Sequence, residues 1–450
     1  MNRFTSVWAK LFALAAIGIA LMLATRAANA AEIVEVKTES GITAWLKQEP
    51  SIPIIALDAL WTGAGGASEP VDKAGLTNLL AAMLDEGAGD LDSQAFQRTL
   101  EDQAVRLSFE ATRDSFSMSL QTLSDKSEEG FRLAGLALSS PRFDAEPLER
   151  MRAGILNGIS RDSRNPNSIA GREFTAMIFP GDRYGVPQDG TQESVTALTA
   201  DDLRAHKDRL IARDNLIIGV VGDISPEALK PLLEAAFGGL PAKAEVGPVD
   251  DIEPVMNGQL RIIEHDSPQT VYVFGLPGLK RDDPDFDIAR VMNHMLGGGG
   301  FSSLLTEEIR EKRGLTYGVY SYLRPMDRTG LWLGGLATSN EKAAEALTVL
   351  KQTIADYRDN GPSEEDLEKA KANINGAFPL RFTSNSRLAQ LLTAIQRYDL
   401  GSDYMQTRPE AISAVTVDDI RRVAQRLLDL EKLTVMAVGR PTGLDATSTQ

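Results

Sequence analysis

Cysteine is absent from all 450 residues. That excludes disulfides, thiol catalysis, cysteine-ligated zinc and lipid attachment through an N-terminal cysteine. Histidine is almost absent as well: His206, His265 and His294 are the only three, and no two form an H-E-x-x-H pair. A surplus of positive charge is lacking, since 63 acidic against 47 basic residues leave a formal charge of −16. Such a chain repels nucleic acid and anionic lipid unless it hides a basic patch. The basic residues are dispersed among acids, so no nucleic-acid partner is expected. No G-x-x-x-x-G-K-[ST] phosphate loop and no G-x-S-x-G elbow occurs, and the acids of Asp282–Asp287 lack the spacing of a calcium loop.

Long apolar runs are scarce too. The one at Leu11–Ala24 follows Arg3 and Lys10 and precedes the small residues Ala28-Asn29-Ala30. It is short for a membrane span, so residues 1–30 are expected to be a cleaved secretory signal peptide. The mature chain is then expected to be soluble, with no membrane association, and periplasmic or secreted. Freedom from cysteine suits a periplasm.

The residues that are present, 43% of them hydrophobic, suffice for two large cores. Leu76, Leu79, Leu80, Met83 and Leu84 recur with helical spacing, and Ile288, Val291, Met292, Met295 and Leu296 repeat that set 212 residues later. Thr199-Ala-Asp-Asp-Leu203 returns as Thr416-Val-Asp-Asp-Ile420 and Gly222 as Gly439, at a spacing of 217. Self-similarity at a fixed period is a fold-level signal. The expected fold class is α+β: two homologous halves, each an antiparallel-type sheet covered by helices. The expected division is 1–30 (signal peptide), 31–240 (first half, with a helix at 75–86), 241–258 (linker), 259–442 (second half) and 443–450 (tail).

The stretch from His294 to Tyr322 stands out. Gly297, Gly298, Gly299 and Gly300 form a loop through which another chain could pass closely. Ser302 or Ser303 can cap a short charged helix, with Glu308 and Lys312 paired at i, i+4 and Gly314 as its stop. Leu315, Tyr317 and Val319 then alternate with polar or small residues, a strand pattern. Read without further context, Arg310 is a solvated helix charge and Tyr317 a strand aromatic.

Together, Gly75-Leu76 with Met83-Leu84, Tyr184-Gly185 with Gly190-Thr191, Asn215-Leu216 with Val220-Val221-Gly222-Asp223, and Gly297–Tyr320 resemble the insulinase/pitrilysin family of zinc peptidases, in its processing-peptidase subfamily. The resemblance spans nearly the whole mature chain. It implies a clam-like pair of α+β halves enclosing a peptide chamber. It also implies an H-x-x-E-H run on the first helix, with two zinc ligands and a general base. Alignment places Asn78, Ala81 and Ala82 at those positions, and the third ligand falls at or near Gly158. An amide and two methyl groups cannot do this work, so no metal site and no cofactor is expected in this chain. His294 stands opposite Ala82 in the repeat, with Arg290 and Asn293 at the other two positions, and again no metal set forms.

The family's second-half pair, an Arg and a Tyr seven residues apart, is present as Arg310 and Tyr317. By resemblance these reach toward a substrate carbonyl at the zinc, where a guanidinium and a phenol act as donors. The resemblance therefore implies a zinc-less subunit of a heterodimer. Its partner chain would carry H-x-x-E-H and zinc, its substrate would be a peptide or unfolded protein, and Gly297–Gly300 would pass near substrate or interface. A non-enzymatic peptide-binding or assembly scaffold is the alternative.

Overall fold

A computed structural model describes residues 33–247 and 250–445; the expected signal peptide lies outside them. The first half builds a six-stranded sheet from β1 (Ile33–Lys37), β2 (Thr43–Gln48), β3 (Ile54–Thr62), β4 (Arg106–Ala111), β5 (Ser115–Leu123) and β6 (Leu216–Gly222), in the order β1-β2-β6-β3-β5-β4. The second half builds a five-stranded sheet from β7 (Leu260–Glu264), β8 (Gln269–Pro277), β9 (Val319–Pro325), β10 (Gly330–Ser339) and β11 (Thr434–Gly439), in the order β7-β11-β8-β10-β9. Apart from β1 the two orders are the same. Each sheet is antiparallel except for one parallel pair, β2 with β6 and β7 with β11. The inherited topology is thus a mixed sheet with antiparallel hairpins, a refinement of the antiparallel type expected from sequence.

Five helices position the site: α1 (Leu76–Met83), α2 (Ala145–Asp162), α3 (Pro166–Ile178), α4 (Phe286–Asn293) and α5 (Asn385–Arg397). Asn165-Pro166 reads in sequence as the end of a long helix. It also starts α3, because the Asn165 side chain accepts from the Asn167 amide at 2.9 Å and Pro166 occupies a first-turn position that needs no donor.

α3 and α5 are exchanged between the halves. Ile169, Ala170, Phe174 and Ile178 of α3 pack on Val271, Leu331, Leu333, Met436 and Val438 of the second sheet. Leu388, Ala389 and Leu392 of α5 pack on Val221 of the first. Gly219 on β6 lets the α5 backbone approach, since a Cβ there would collide with the Ala389 carbonyl. Buried Asp58 on β3 accepts from Thr393 Oγ1 at 2.6 Å, and Gln396 Nε2 donates to the Ile218 carbonyl at 3.0 Å. Burying each large apolar side chain contributes roughly 1.5–3 kcal/mol, so the exchange binds the halves firmly.

A polar network runs along the same seam. Tyr184 donates to Asp114 and accepts from the Arg328 amide at 3.2 Å. Arg397 reaches Asp327 at 2.7 Å and Ser115 at 3.2 Å, while Arg328 reaches Asp182 at 2.9 Å. Between the halves lies a cavity of about 430 Å³. The segment expected as a linker has no helix or strand among its described residues; it lies against both halves through Glu245 N to Arg209 O and Ile252 N to Arg328 O. No described helix is long and apolar enough to cross a membrane.

Candidate functional site

α1 begins at Gly75, whose φ of +90° favours glycine and where a Cβ would meet the Asp189 carbonyl oxygen at 2.7 Å. The buried Glu69 carboxylate caps the helix from outside, accepting from the Gly75 amide at 3.1 Å and the Thr77 amide at 2.7 Å. Thr77 Oγ1 and buried His206 Nε2 lie 2.8 Å apart, and burial pushes the imidazole down to about 3. That histidine is a neutral packing element under the helix.

The three positions on the outer turn hold no metal donors. Asn78 Nδ2 donates to Asp189 Oδ1 at 3.1 Å, Ala81 is buried and Ala82 is half-buried. Gly158 on α2 has open space where a Cβ would stand. An amide already engaged, two methyls and a glycine do not fit a zinc ion, which needs about three protein donors. Among the described residues, no three His, Cys, Asp or Glu side chains are placed to hold one metal.

Asp85 follows α1. Burial, with Glu86 beside it, pushes its carboxyl up to about 6 from the ordinary 3.8. The folded state therefore binds this proton more tightly than the unfolded state. The contribution to stability is full below about pH 4 and is lost as pH rises through 6. Asp85→Asn is expected to raise stability at pH 8 by about 1–3 kcal/mol and to give no gain at pH 4, read from urea unfolding at both values. An equal gain at both would refute the assignment.

The second-half motif departs in detail from its sequence reading. α4 ends at Asn293 and continues as a π-helical turn, His294–Gly298, so Gly297 and Gly298 belong to that turn rather than to an open loop. A Cβ on Gly297 would strike the Ser321 side chain of β9, and one on Gly298 would meet Asn293 Nδ2 at 2.6 Å. Only Gly300 of the four takes a positive φ, +64°. The short charged helix is another π-helical turn, Thr306–Glu311, and Lys312 at its C-terminal end still pairs with Glu308 at 2.6 Å. The strand starts at Val319, not Leu315. Thr316 diverts the preceding residues: its hydroxyl accepts from the Gly318 amide and lies 2.8 and 2.7 Å from the Gly318 and Ala337 carbonyls, a local turn that competes with the ladder.

Arg310 and Tyr317 are brought together in one shallow depression, with Gly314, Thr316 and Lys342. The Arg310 guanidinium lies 4.5 Å from the Phe301 ring centroid and near Glu311. Tyr317 is 88% exposed, between buried Leu315 and Val319, and among the described residues its hydroxyl has no hydrogen bond. Two donors thus project outward from a fixed backbone. Neither lines the cavity between the halves. His294 is half-buried beside Met295, Ser302 and Tyr357 in a separate groove, with its pKa lowered by burial.

A chamber between the halves was implied by the resemblance, but the residues that line it were not anticipated from the sequence. Arg113, Asp162, Arg172 and Asp189 line it from the first half, and Tyr320, Tyr322 and Arg324 from the second. The alternation of Tyr320, Tyr322 and Arg324 with Ser321 and Leu323 was the available signal, but it needs the strand start at Val319 to be interpreted.

Residues 197–374 match the family profile described as "Peptidase M16 inactive domain". The solved structure of the peptidase M16 inactive domain from Pseudomonas fluorescens is similar to the chain at 28% identity and a TM-score of 0.86, covering 91% of this chain and 98% of that one. Residues 197–374 thus carry a peptidase M16, or insulinase-family, domain, and nearly the whole chain is similar to M16 structures. Among curated M16 relatives, the "Non-peptidase homolog YmxG" of Helicobacter pylori is 24% identical over 83% of this chain and 86% of its own length. The mitochondrial-processing peptidase subunit beta of Lentinula edodes is 23% identical over 92% of each. The matched stretch is of the inactive M16 type, and Asn78, Ala81 and Ala82 bring no side chains that fit a zinc ion.

Proposed function

We propose that this M16 chain is the zinc-less subunit of a two-chain periplasmic metallopeptidase. The partner carries H-x-x-E-H and the zinc; this chain supplies Arg310 and Tyr317, which hold the substrate carbonyl and the charge that develops on it in the transition state. One observation carries the reading: the metal-donor positions on α1 hold Asn78, Ala81 and Ala82, while Arg310 and Tyr317 remain together, with Tyr317 exposed and its hydroxyl unbonded among the described residues. Zinc, when bound in the partner, polarises the scissile carbonyl and activates water. Gly300 and the exposed Phe301 stand beside Arg310, where a partner or its peptide would pass. Export rests on Arg3, Lys10 and the apolar run that follows them.

The test of partnership is co-expression with an M16 chain bearing H-x-x-E-H from the same host. A one-to-one complex on size-exclusion chromatography with light scattering is expected. Two separate monomer peaks at micromolar concentration would contradict it.

The name of the Helicobacter relative, a non-peptidase homologue, favours a second reading: a binding or assembly protein that keeps the chamber as a scaffold. That reading predicts peptide binding by the chain alone and no rate enhancement in any mixture.

A further inference from the structure

The cavity between the halves contains charges that its own walls do not neutralise. Arg113 sits in the β4–β5 turn, where one guanidinium nitrogen donates to the carbonyls of Arg183 at 2.9 Å and Val186 at 3.0 Å. Its Nε is buried with no hydrogen-bond partner among the described residues. Arg324, near the end of β9, lines the same cavity, and among the described residues its guanidinium makes no hydrogen bond or ion pair. Both cations face one cavity, and burial and then Arg324 lower the pKa of Arg113. The acids that oppose this on Arg113 are Asp114, already hydrogen-bonded by Tyr184, and Glu69, already capping α1.

Two acids do line the cavity, but they do not answer the arginines. Asp189 is bonded by Asn78, and its carboxyl is pushed up by burial and then by Asp162, with no cation acting on it. Arg172, the third cation, is paired with Glu173 at 3.3 Å. Asp162 is paired with Arg161 at 3.9 Å, a residue outside the cavity lining. The cavity therefore presents an Arg113–Arg324 pair and, apart from it, the carboxylates of Asp162 and Asp189. Beside Arg324, the rings of Tyr320 and Tyr322 stack with centroids 6.2 Å apart and planes 21° from parallel. Burial raises the Tyr322 hydroxyl, which stays a donor at neutral pH.

We infer that Arg113 and Arg324 form a carboxylate-binding subsite, and that the chamber selects peptides presenting a carboxylate to it. A carboxylate placed between two guanidiniums accepts charge-assisted hydrogen bonds and offsets their like charge. The volume of about 430 Å³ is within the range of ligand clefts, roughly 300–1,000 Å³, and suits one or two residues of an extended peptide. The carboxylates of Asp162 and Asp189 disfavour a second anion at their end and so orient the ligand. An acidic side chain and a C-terminal carboxylate share this chemistry. The inference rests on the cavity being a peptide chamber, but it needs neither the partner nor Arg310 and Tyr317.

The experiment is fluorescence anisotropy with the mature chain and three N-terminally labelled Ala/Ser octapeptides. One has a central Glu and an amidated C-terminus, one has Gln in its place and the same amide, and one has Gln and a free C-terminal carboxylate. At least one carboxylate peptide is expected to bind about tenfold or more tightly than the neutral one, and comparison of the first and third identifies the source. Arg324→Gln is expected to erase the difference and Arg324→Lys to keep part of it, with unchanged melting temperatures because Arg324 holds no internal partner. Equal affinity for all three peptides, or a preference that survives Arg324→Gln, overturns the inference. A preference that persists while the two-chain mixture shows no cleavage sinks the shared active site and leaves this subsite standing.

Discussion

Tyr317→Phe is expected to lower peptide cleavage by the two-chain mixture about a hundredfold, mainly in kcat, with no change in the melting temperature of this chain. The phenol is 88% exposed and has no hydrogen bond among the described residues, so removing its hydroxyl leaves nothing buried unsatisfied. A donor that acts on the developing oxyanion is felt in the transition state more than in the bound substrate. Loss of one such donor costs on the order of 100- to 1,000-fold in kcat. Arg310→Ala is expected to fall as far and to raise KM too, since in the proposed role the guanidinium would also anchor the ground-state carbonyl. Arg310→Lys keeps the charge and loses the planar fork, so it is expected to recover only a small part. Unchanged kcat in Tyr317→Phe, measured at saturating peptide, would remove the residue from the chemistry.

The largest expected effect on stability lies one helix away. Asn293 stands in the repeat where the family's general base would stand in the first half, opposite Ala81. Its side chain is almost fully buried. Nδ2 donates to the Ser321 carbonyl at 3.1 Å, and Oδ1 accepts from Ser321 Oγ at 2.7 Å and from Trp332 Nε1 at 2.8 Å. The amide ties α4 to β9 and β10 and fixes the strand against which Gly297 packs. Asn293→Ala would strand an indole N–H, a hydroxyl and a carbonyl, each costing about 1–3 kcal/mol when left unpaired in the interior. The expected loss in urea unfolding is about 3 kcal/mol or more. A loss below about 1 kcal/mol would mean that water reaches these groups and that the network does not hold β9 in place.

The same residue shows where sequence reading runs out. The repeat was legible because the apolar positions of α1 and α4 follow helical spacing, and the glycines ending β6 and β11 mark equivalent turns. Those are local signals. The exchange of α3 and α5 was not legible, since a helix pattern shows which face is apolar but not which sheet will cover it. Val319 as the strand start depends on the bonds of Thr316 to Gly318 and Ala337, one of them to a residue 21 positions away. The π-helical turns at His294–Gly298 and Thr306–Glu311 arise where glycines and tertiary contacts override the regular ladder. The residue types at Asn78, Ala81 and Ala82 were readable directly, but only the resemblance marked them as the positions where metal ligands would stand. The cavity charges were not legible, because Arg113 and Arg324 are 211 residues apart and meet only through the seam between the halves.

The central claim is that this chain completes a zinc site it does not contain. Its direct measurement is cleavage of a quenched fluorescent peptide by this chain, by an H-x-x-E-H partner and by their mixture, with zinc per chain determined for each. The account predicts less than a tenth of an equivalent of zinc and no cleavage for this chain, about one equivalent in the partner, and activity in the mixture at least about a hundredfold above either chain alone. Stoichiometric zinc and cleavage in this chain alone, or a mixture no faster than the partner, would contradict it.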